Sequence, residues 1–424
     1  MEVCPLPKIP GRPLTLCKIP FSLCENSRHS SSSRSQTIVM KLFASFLTTA
    51  AIIATFSFSK PETTQNLNPK PETRKIQAAI LLDVSNSMDG LIEQAKAQLW
   101  NMVITLGKAQ CADKTAPQVE VALYEYGRSS NDAGKGYVKR LSEFTQDLDS
   151  VSKILFGLTT NGGDEYCGQV IYTSIDELKW DGVAENYKVI FIAGNEDFLQ
   201  GNILYTNACA KAKQKGVIVN TIYCGDRMQG IKEHWNLLNE CGNGSFTNIN
   251  TDAREIEIPT PYDSTLIVLN GKLNGTYIGY GANGDVYKVR QQEMDKMNFS
   301  ASNGAGLQRV NAKAMSNAYN NASWDLVDAV RADSMYITRV DKKTLPDSLK
   351  NKNVMELKQY VKQKSDERNA IQQQIISVNT DRSKYIAAEK AKAAANNNGQ
   401  TLESAVETTI REQVKRFNMQ IPKN

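Results

Sequence analysis

A nearly unbroken apolar run from Ile76 to Leu82 is the feature that most constrains the fold of this chain. Only Gln77 is polar within the run, which ends at Asp83, well short of the usual length of a helix. A short, continuous apolar segment of this kind is typical of a strand that is buried on both faces of a parallel sheet. The run therefore predicts an α/β fold.

Two later segments repeat this pattern, and stretches with helical spacing separate them. Tyr187–Ala193 (YKVIFIA) and Val217–Tyr223 (VIVNTIY) are apolar over the length of a strand. Gly216 marks the end of the helix predicted between them. Gln118–Gly127 alternates in hydrophobicity, as a strand with one better-buried face does. Because strand and helix alternate over residues 75–250, we expect right-handed crossovers and a doubly wound, mostly parallel sheet.

Polar side chains follow directly after the first apolar strand, at Asp83, Ser85 and Ser87. In an open α/β sheet, ligands bind at the carboxyl ends of the strands, so a functional site is expected here, with Asp83 facing solvent. A carboxylate and two hydroxyls supply the oxygen ligands that Mg²⁺ and Mn²⁺ prefer. An alternative is that Ser87 or Asp89 caps a helix that opens at about Gly90. The position after a buried strand favours the metal site.

The sequence DVSNSM, which begins at Asp83, resembles the metal-ion-dependent adhesion site of von Willebrand factor A (vWA) domains. The resemblance covers roughly residues 75–250 and includes the order of strands and helices. In that family the two serines bind the cation directly, and the aspartate binds it directly or through water. The resemblance implies these roles for Ser85, Ser87 and Asp83.

Two further ligand positions of the family differ in this chain. Family members add a threonine on a second loop and an aspartate on a third. If Gly162-Gly163-Asp164 aligns with the second loop, Asp164 replaces the threonine, and Gly194 stands at the aspartate position of the third loop. Glu196 follows closely and can act directly or through water. Since one carboxylate is lost and one gained, the resemblance implies Mg²⁺ or Mn²⁺ bound by Asp83, Ser85, Ser87, Asp164 and Glu196.

Other interpretations of these loops stay open at the level of sequence. The altered positions allow a degraded, metal-free site in which Gly194 and Asn195 form an ordinary turn. Cys167 and His234 would suit a cysteine hydrolase if the fold brought them within hydrogen-bond reach, although a buried or disulfide-bonded cysteine is the commoner outcome. No GxxxxGK[ST] motif is present, so Gly162 and Gly163 give little reason to expect a phosphate loop.

The N-terminal segment has the composition of a leader. Residues 40–59 combine one lysine with an apolar stretch rich in Ser and Thr, which predicts a secretory signal peptide that begins at Met40. Residues 1–39 are interpreted as a disordered extension or a misassigned start, and residues 60–74 as a polar linker. We therefore expect an exported protein, located in the periplasm, the cell envelope or outside the cell, with no stable membrane span after signal cleavage.

Export would place the cysteines in an oxidising compartment, where disulfides can form. Removal of the leader would leave Cys111, Cys167, Cys209, Cys224 and Cys241, an odd number with at least one unpaired thiol. Cys209 and Cys224 lie on a predicted helix and on the strand that follows it, and Cys241 is a second candidate partner for Cys224. A disulfide among these three and a set of buried free thiols both remain possible.

The chain changes character after the predicted sheet domain. Over residues 251–424 the apolar positions take helical spacing, which predicts a mainly helical region with a short docking helix at Ser323–Val330. Within residues 354–390 an apolar stripe follows alternating steps of three and four, interrupted by Lys364, Arg368 and Arg382. The stripe predicts either a coiled-coil arm, which would allow a homo-oligomer, or an amphipathic helix folded against the domain.

These patterns together predict a non-enzymatic protein-binding module of the cell envelope. The 50 basic and 45 acidic residues are mixed along the chain, so composition gives no reason to expect a nucleic-acid partner. An open position on the cation would accept a carboxylate from a partner protein, as in the adhesion family. The alternative is a scaffolding protein of the envelope that binds through its C-terminal helices and has vestigial metal loops.

Overall fold

In a computed structural model, which describes residues 73–90, 92, 101–237, 244–249, 257–394 and 402–422, the first apolar run forms strand β1 (Lys75–Asp83). The same sheet contains β3 (Gln118–Tyr126), β4 (Lys139–Thr145), β5 (Tyr187–Gly194), β6 (Ile218–Cys224) and β7 (Phe246–Ile249). The strand order is β4-β3-β1-β5-β6-β7; β4 is antiparallel to β3, and the other neighbouring pairs are parallel. The predicted doubly wound, mostly parallel sheet is confirmed.

Strand β1 is apolar along its length because both of its faces are covered. Its neighbours are β3 and β5, and Ile80 lies opposite both Leu123 and Phe191. Ile80 belongs to one hydrophobic cluster and Leu81 to another, on the opposite face of the sheet. Successive side chains of a strand point to opposite faces, so a strand covered on both sides has no position for a polar stripe.

Helices cover both faces of the sheet. Apolar residues of α1, which is helical over residues 101–107, and of α2 (Leu148–Phe156) pack on one face. Those of α3 (Cys167–Glu177) and α4 (Tyr205–Lys215) pack on the other, and α5 (Arg227–Lys232) follows β6. Helix α4 ends at Gly216, whose φ of 65° is the left-handed conformation expected of such a stop.

The C-terminal region is mainly helical, as predicted. Its helices are α6 (Asp263–Asn274), α7 (Gly284–Ala301), α8 (Asn303–Lys313), α9 (Leu326–Ala332), α10 (Tyr336–Arg339), α11 (Asp347–Lys350), α12 (Val354–Ala394) and α13 (Leu402–Val414). Leu266, Leu307 and Ile410 from three of these helices join the hydrophobic cluster on the first face of the sheet. The C-terminal strand β8 (Met419–Gln420) pairs with β2 (Gln110–Cys111). One continuous core therefore spans the sheet and the C-terminal helices.

Helix α12 contains the apolar stripe, and the middle of the stripe, from Leu357 to Ile375, is buried within this chain. Leu357 and Val361 pack with α9 and α10, whereas Ile371 and Ile375 join the core next to the sheet. Arg368, which the sequence marks as an interruption, is buried and binds Asp325 and Asp328. This arrangement matches the amphipathic helix folded against the domain, and it leaves this part of the stripe no free face for a coiled coil.

Several predictions concern residues outside the described part of the chain. These are the extension 1–39, the signal peptide 40–59, most of the linker 60–74, and Cys241. Among the described residues, no helix has both the length and the apolar character needed to cross a membrane. Cys209 is disulfide-bonded. Cys224 is a free buried thiol, as are Cys111 and Cys167, so the pairing of Cys209 with Cys224 is excluded.

Candidate metal centre

Asp83 is the last residue of β1, and its carboxylate is buried beneath the loop that follows. Its Oδ1 accepts a hydrogen bond of 2.8 Å from the Ser85 amide, and its Oδ2 has no hydrogen-bond partner within the described residues. The expectation that Asp83 faces solvent is wrong. The Val84 amide still donates to the Tyr126 carbonyl, at 3.0 Å, so the hydrogen-bonded ladder continues past Asp83 and keeps it inside.

The two serines connect the loop after β1 to the loop after β5. The Oγ atoms of Ser85 and Ser87 lie 2.9 Å apart, and Ser87 donates from Oγ to Oδ1 of Asn195 at 2.8 Å. Asn195 in turn donates from Nδ2 to the Ser87 carbonyl at 3.2 Å. Asp89 accepts a hydrogen bond from the Thr160 hydroxyl. The first turn of the helix that Ser87 or Asp89 would cap lies outside the described residues.

The second loop presents Glu165, rather than Asp164, to Asp83. Asp164 is exposed, and its Oδ2 accepts a hydrogen bond from the Tyr166 hydroxyl at 3.1 Å. Glu165 is buried and interacts electrostatically with Asp83 and with Glu196. Consecutive side chains of an extended segment point in opposite directions, so a site that faces one of these residues does not face the other. The structure therefore places Glu165, and not the Asp164 that the alignment named, next to Asp83.

The second loop comes this close because Gly163 has no side chain. A Cβ at this position would lie 2.6 Å from the Gly127 carbonyl oxygen and 2.6 Å from the Ser129 amide nitrogen, both backbone atoms that cannot move aside. The neighbouring Gly162 carbonyl accepts a hydrogen bond from the Ser129 amide at 2.9 Å. The absence of a side chain at Gly163 thus allows the close approach of the two loops.

Gly194, the position at which the family has an aspartate, has no space for a side chain. A Cβ there would lie 2.5 Å from the Tyr126 hydroxyl oxygen and 3.1 Å from Asp83 Oδ2. The Tyr126 hydroxyl is held in place because it donates to the Ala193 carbonyl at 2.9 Å. The loop after β5 therefore contributes to the site through the next two residues, Asn195 and Glu196.

Two carboxyl groups of this site, those of Asp83 and Glu165, have raised pKa values. Burial raises the pKa of Asp83 to about 6 against the opposing hydrogen bonds from Ser85, and the charge of Glu196 adds to the shift. The pKa of Glu165 is raised to about 8 by burial and by the charges of Asp83 and Glu196. Within the described residues, no lysine or arginine forms an ion pair with any of these three carboxylates. Ionisation of Asp83 and Glu165 is therefore costly, because the described residues supply no counter-charge.

The donor set fits a small, hard cation that uses hydroxyl ligands. Among the described residues, no three His, Cys, Asp and Glu side chains are placed so that they could hold a metal ion by themselves. A cation at this place would thus depend on the Ser85 and Ser87 hydroxyls together with Asp83. These are all oxygen donors, and the unpartnered Oδ2 of Asp83 is an acceptor that a cation would satisfy.

Cys167 and His234 are not arranged as a nucleophile and its base. Cys167 is fully buried, and its Sγ lies 3.8 Å from the Tyr126 hydroxyl. Burial raises the pKa of the thiol well above its ordinary value, which keeps it protonated and weakly nucleophilic. The Nδ1 atom of His234 instead lies 3.0 Å from Oδ1 of Asp197. The geometry gives the cysteine-hydrolase interpretation no support.

Comparison with known proteins finds similar solved structures. No family model and no curated protein matches the chain. Proximal thread matrix protein 1 from the mussel byssus is 12% identical, with a TM-score of 0.31 over 42% of this chain and 43% of its own length. The same protein has been solved with a zinc-occupied MIDAS motif. The chain thus covers less than half of that protein.

Two other solved structures are matched over most of their own length. BatB from Bacteroides thetaiotaomicron, a conserved hypothetical protein, is 16% identical, with a TM-score of 0.32 over 42% of this chain and 92% of its own. The VWA domain of SpRpn10 is 15% identical, with a TM-score of 0.32 over 44% of this chain and 90% of its own. The strand order, the antiparallel edge strand β4 and the Asp83 loop at the carboxyl end of β1 give the described part of residues 75–249 an arrangement that resembles the von Willebrand factor A fold.

Proposed function

We propose that this chain is a non-enzymatic protein-binding module that holds Mg²⁺ or Mn²⁺ at Asp83, Ser85 and Ser87 and thereby engages a carboxylate of a partner protein. One observation carries the proposal: the buried Asp83 carboxylate has an unpartnered Oδ2 beside two hydroxyls and two further carboxylates. A buried charge without a counter-charge is strongly unfavourable. A divalent cation would remove that cost and supply an open coordination position.

The five acidic and hydroxyl side chains have different roles in this proposal. Asp83, Ser85 and Ser87 bind the cation directly. Glu165 and Glu196 surround it and act through water and through their charge. Ser87 is exposed, so the site opens to solvent on its side. Asp164, whose carboxylate binds the Tyr166 hydroxyl, contributes little.

The surface beside the site suits contact with a protein. Exposed apolar side chains, Leu199 after β5 and Met228 on α5, lie on segments that follow neighbouring strands. These segments are joined because the Phe198 amide donates to the Glu233 carbonyl at 2.9 Å and Trp235 Nε1 donates to the Glu196 carbonyl at 2.7 Å. Apolar contacts around a charged centre are the usual composition of a protein interface.

We also propose that the protein is exported to the cell envelope. The leader-like composition of residues 40–59 supports export. The disulfide at Cys209 adds support, because stable disulfides persist chiefly in oxidising compartments. Scaffolding through a free C-terminal helix is less well supported, since α12 uses Leu357, Val361 and Ile371 to pack on its own chain.

Calorimetric titration tests the metal site. We expect wild type to bind one Mn²⁺ per chain, to bind Mg²⁺ more weakly, and to lose both on Asp83→Asn substitution. Capture of partners from an envelope extract, with and without a chelator, tests the function. Partners should be retained by wild type with Mn²⁺ and released by the chelator, and Asp83→Asn protein should capture none of them. Absence of cation heat in the wild type would exclude the site, and chelator-insensitive capture would exclude its role in binding.

A further inference from the structure

A groove on the C-terminal helices has the features of a ligand site and is separate from the metal centre. It lies between α9, the turn before α10, and α12, and its volume is about 460 Å³. Sites for small molecules usually have volumes of about 300–1,000 Å³, are lined mainly by apolar side chains, and often lie between packed helices. The volume of this groove and its place between helices are therefore compatible with a small-molecule ligand.

The groove has an apolar floor. Val327, Ile337 and Val361 line it, and all three are buried members of the small core formed by α9, α10 and α12. Val330 extends this lining as a partly buried member of the same cluster. Met335 stands at the mouth with 58% of its surface exposed, and its flexible thioether can adapt to ligands of different shape. The floor suits a flexible hydrocarbon chain.

The rim of the groove is cationic. Arg331, Lys358 and Lys362 line it together with two serines, and no acidic residue is among the described residues that line it. Arg331 is held in position because its NH1 lies 3.5 Å from Asp328 and its NH2 donates to Asn369 at 3.1 Å. The ammonium of Lys362 pairs with Asp366 at the surface, an exposed contact that is readily exchanged. The rim thus complements a negatively charged group.

We propose that this groove binds a single-chain amphiphile with an anionic head group, of the medium-chain fatty acid class. The hydrocarbon chain lies against Val330 and Met335, the accessible apolar side chains of the groove, above the buried Val327 and Val361. The head group lies at the rim, where Lys358 and Lys362 neutralise its charge and Ser365 offers a hydroxyl. Charge complementarity at the rim and apolar burial on the floor are both needed, which distinguishes this ligand from a simple anion or a neutral alkane.

Calorimetry on the full chain with monomeric decanoate is the test. We expect saturable binding of one decanoate, no binding of acetate, which lacks the chain, and no binding of decyltrimethylammonium, which reverses the head-group charge. Lys358→Glu should weaken decanoate binding about tenfold, as expected for loss of one charge-assisted contact and its replacement by repulsion. The matched control is Lys296→Glu on α7, an exposed residue that is not part of the groove and should leave binding unchanged.

Several outcomes would overturn the proposal. These are absence of saturable decanoate binding, equal binding of the cationic amphiphile, and an unchanged affinity in the Lys358→Glu protein. Binding to vesicles of anionic phospholipid without binding of decanoate would indicate a membrane-facing surface and would also overturn it. Because Lys358 is exposed, loss of folding is not expected, and circular dichroism of each variant checks this.

Discussion

Two clusters of buried carboxylates in this molecule differ in whether the protein compensates their negative charge. At the end of β1, Asp83 has no cationic partner within the described residues, and burial raises its pKa to about 6. Between α7 and α8, Asp295 is also buried, but its Oδ1 lies 2.6 Å from Arg309 Nε and its Oδ2 lies 2.8 Å from Lys313 Nζ. Burial alone would raise the pKa of Asp295, yet the charges of Lys313 and Arg309 hold it well below its ordinary value.

The difference shows that burial does not by itself mark a functional carboxylate. The Asp295 cluster is a structural network: Arg309 also binds Asp149 on α2 at 2.6 Å and so ties the C-terminal helices to the sheet domain. In this network the protein supplies its own cations. At Asp83 the described residues supply hydroxyls and further carboxyl groups but no cation, and in our proposal a bound divalent ion provides the counter-charge.

The largest effect should follow from removal of a cation from the structural network. Arg309→Met leaves Asp149 and Asp295 buried with fewer partners, and we expect a loss of about 3–5 kcal/mol in the free energy of unfolding. Arg140→Met, which removes an exposed ion pair with Glu143, is the control and should change stability by less than about 1 kcal/mol. Urea unfolding measures both. A similar loss in the two variants would show that the network is no more important than a surface pair.

Removal of the charge at Asp83 should have the opposite effect and raise the free energy of unfolding. Without divalent cations at pH 8, Asp83→Asn should stabilise the fold by about 1–3 kcal/mol, because the carboxylate is ionised there at a cost that an amide avoids. The substituted residue can still accept the hydrogen bond from the Ser85 amide. Asp295→Asn is the matched control and should destabilise the protein. If Asp83→Asn is also destabilising, the charge at this site has a counter-ion in the protein itself.

The pH dependence of this stabilisation follows from the raised pKa values. A carboxyl group whose folded pKa lies above its unfolded pKa contributes most to stability at low pH, and loses that contribution as pH rises through the folded value. The cation-free wild type should therefore lose stability relative to Asp83→Asn between about pH 4 and pH 6. Glu165 is present in both proteins, so its raised pKa should lower the stability of both towards pH 8 and leave their difference largely unchanged there. Chemical denaturation at pH 4, 6 and 8 with a chelator measures the difference. A difference that is constant with pH would contradict the assignment.

The smallest expected effects are changes in Mn²⁺ affinity that distinguish the two neighbouring acidic residues of the second loop. In titrations above its pKa of about 8, where the Glu165 carboxyl is largely ionised, Glu165→Gln should weaken Mn²⁺ binding about fivefold, because it removes a charge that acts on the cation through water. Asp164→Asn should change the affinity by less than about twofold, since its carboxylate is exposed and binds Tyr166. Calorimetric titration of the two variants side by side provides the measurement. Equal effects would restore the alignment that places Asp164 in the site.

Short-range sequence patterns were sufficient to predict the sheet and the position of the first loop. The apolar run of β1 needs only its own residues to show that both faces are buried, and the loop from Asp83 to Ser87 follows the strand within five residues. The left-handed helix stop at Gly216 is equally local, because only the conformation of one residue is required. In each case the physical cause lies within a few residues of its effect.

The features that could not be predicted from the sequence depend on contacts between segments that are distant in the chain. Gly194 must be glycine because Tyr126, from another strand, fills the space that an aspartate would need. Glu165 faces the site because the second loop packs against the end of β3, and this packing decides which of two adjacent carboxylates turns inward. Arg368 is buried in an apolar stripe because Asp325 and Asp328, some forty residues earlier, neutralise its charge. The sequence by itself determined where the strands and the Ser85 and Ser87 hydroxyls lie, whereas the contacts between distant segments decided which buried charges have a counter-charge among the described residues and which do not.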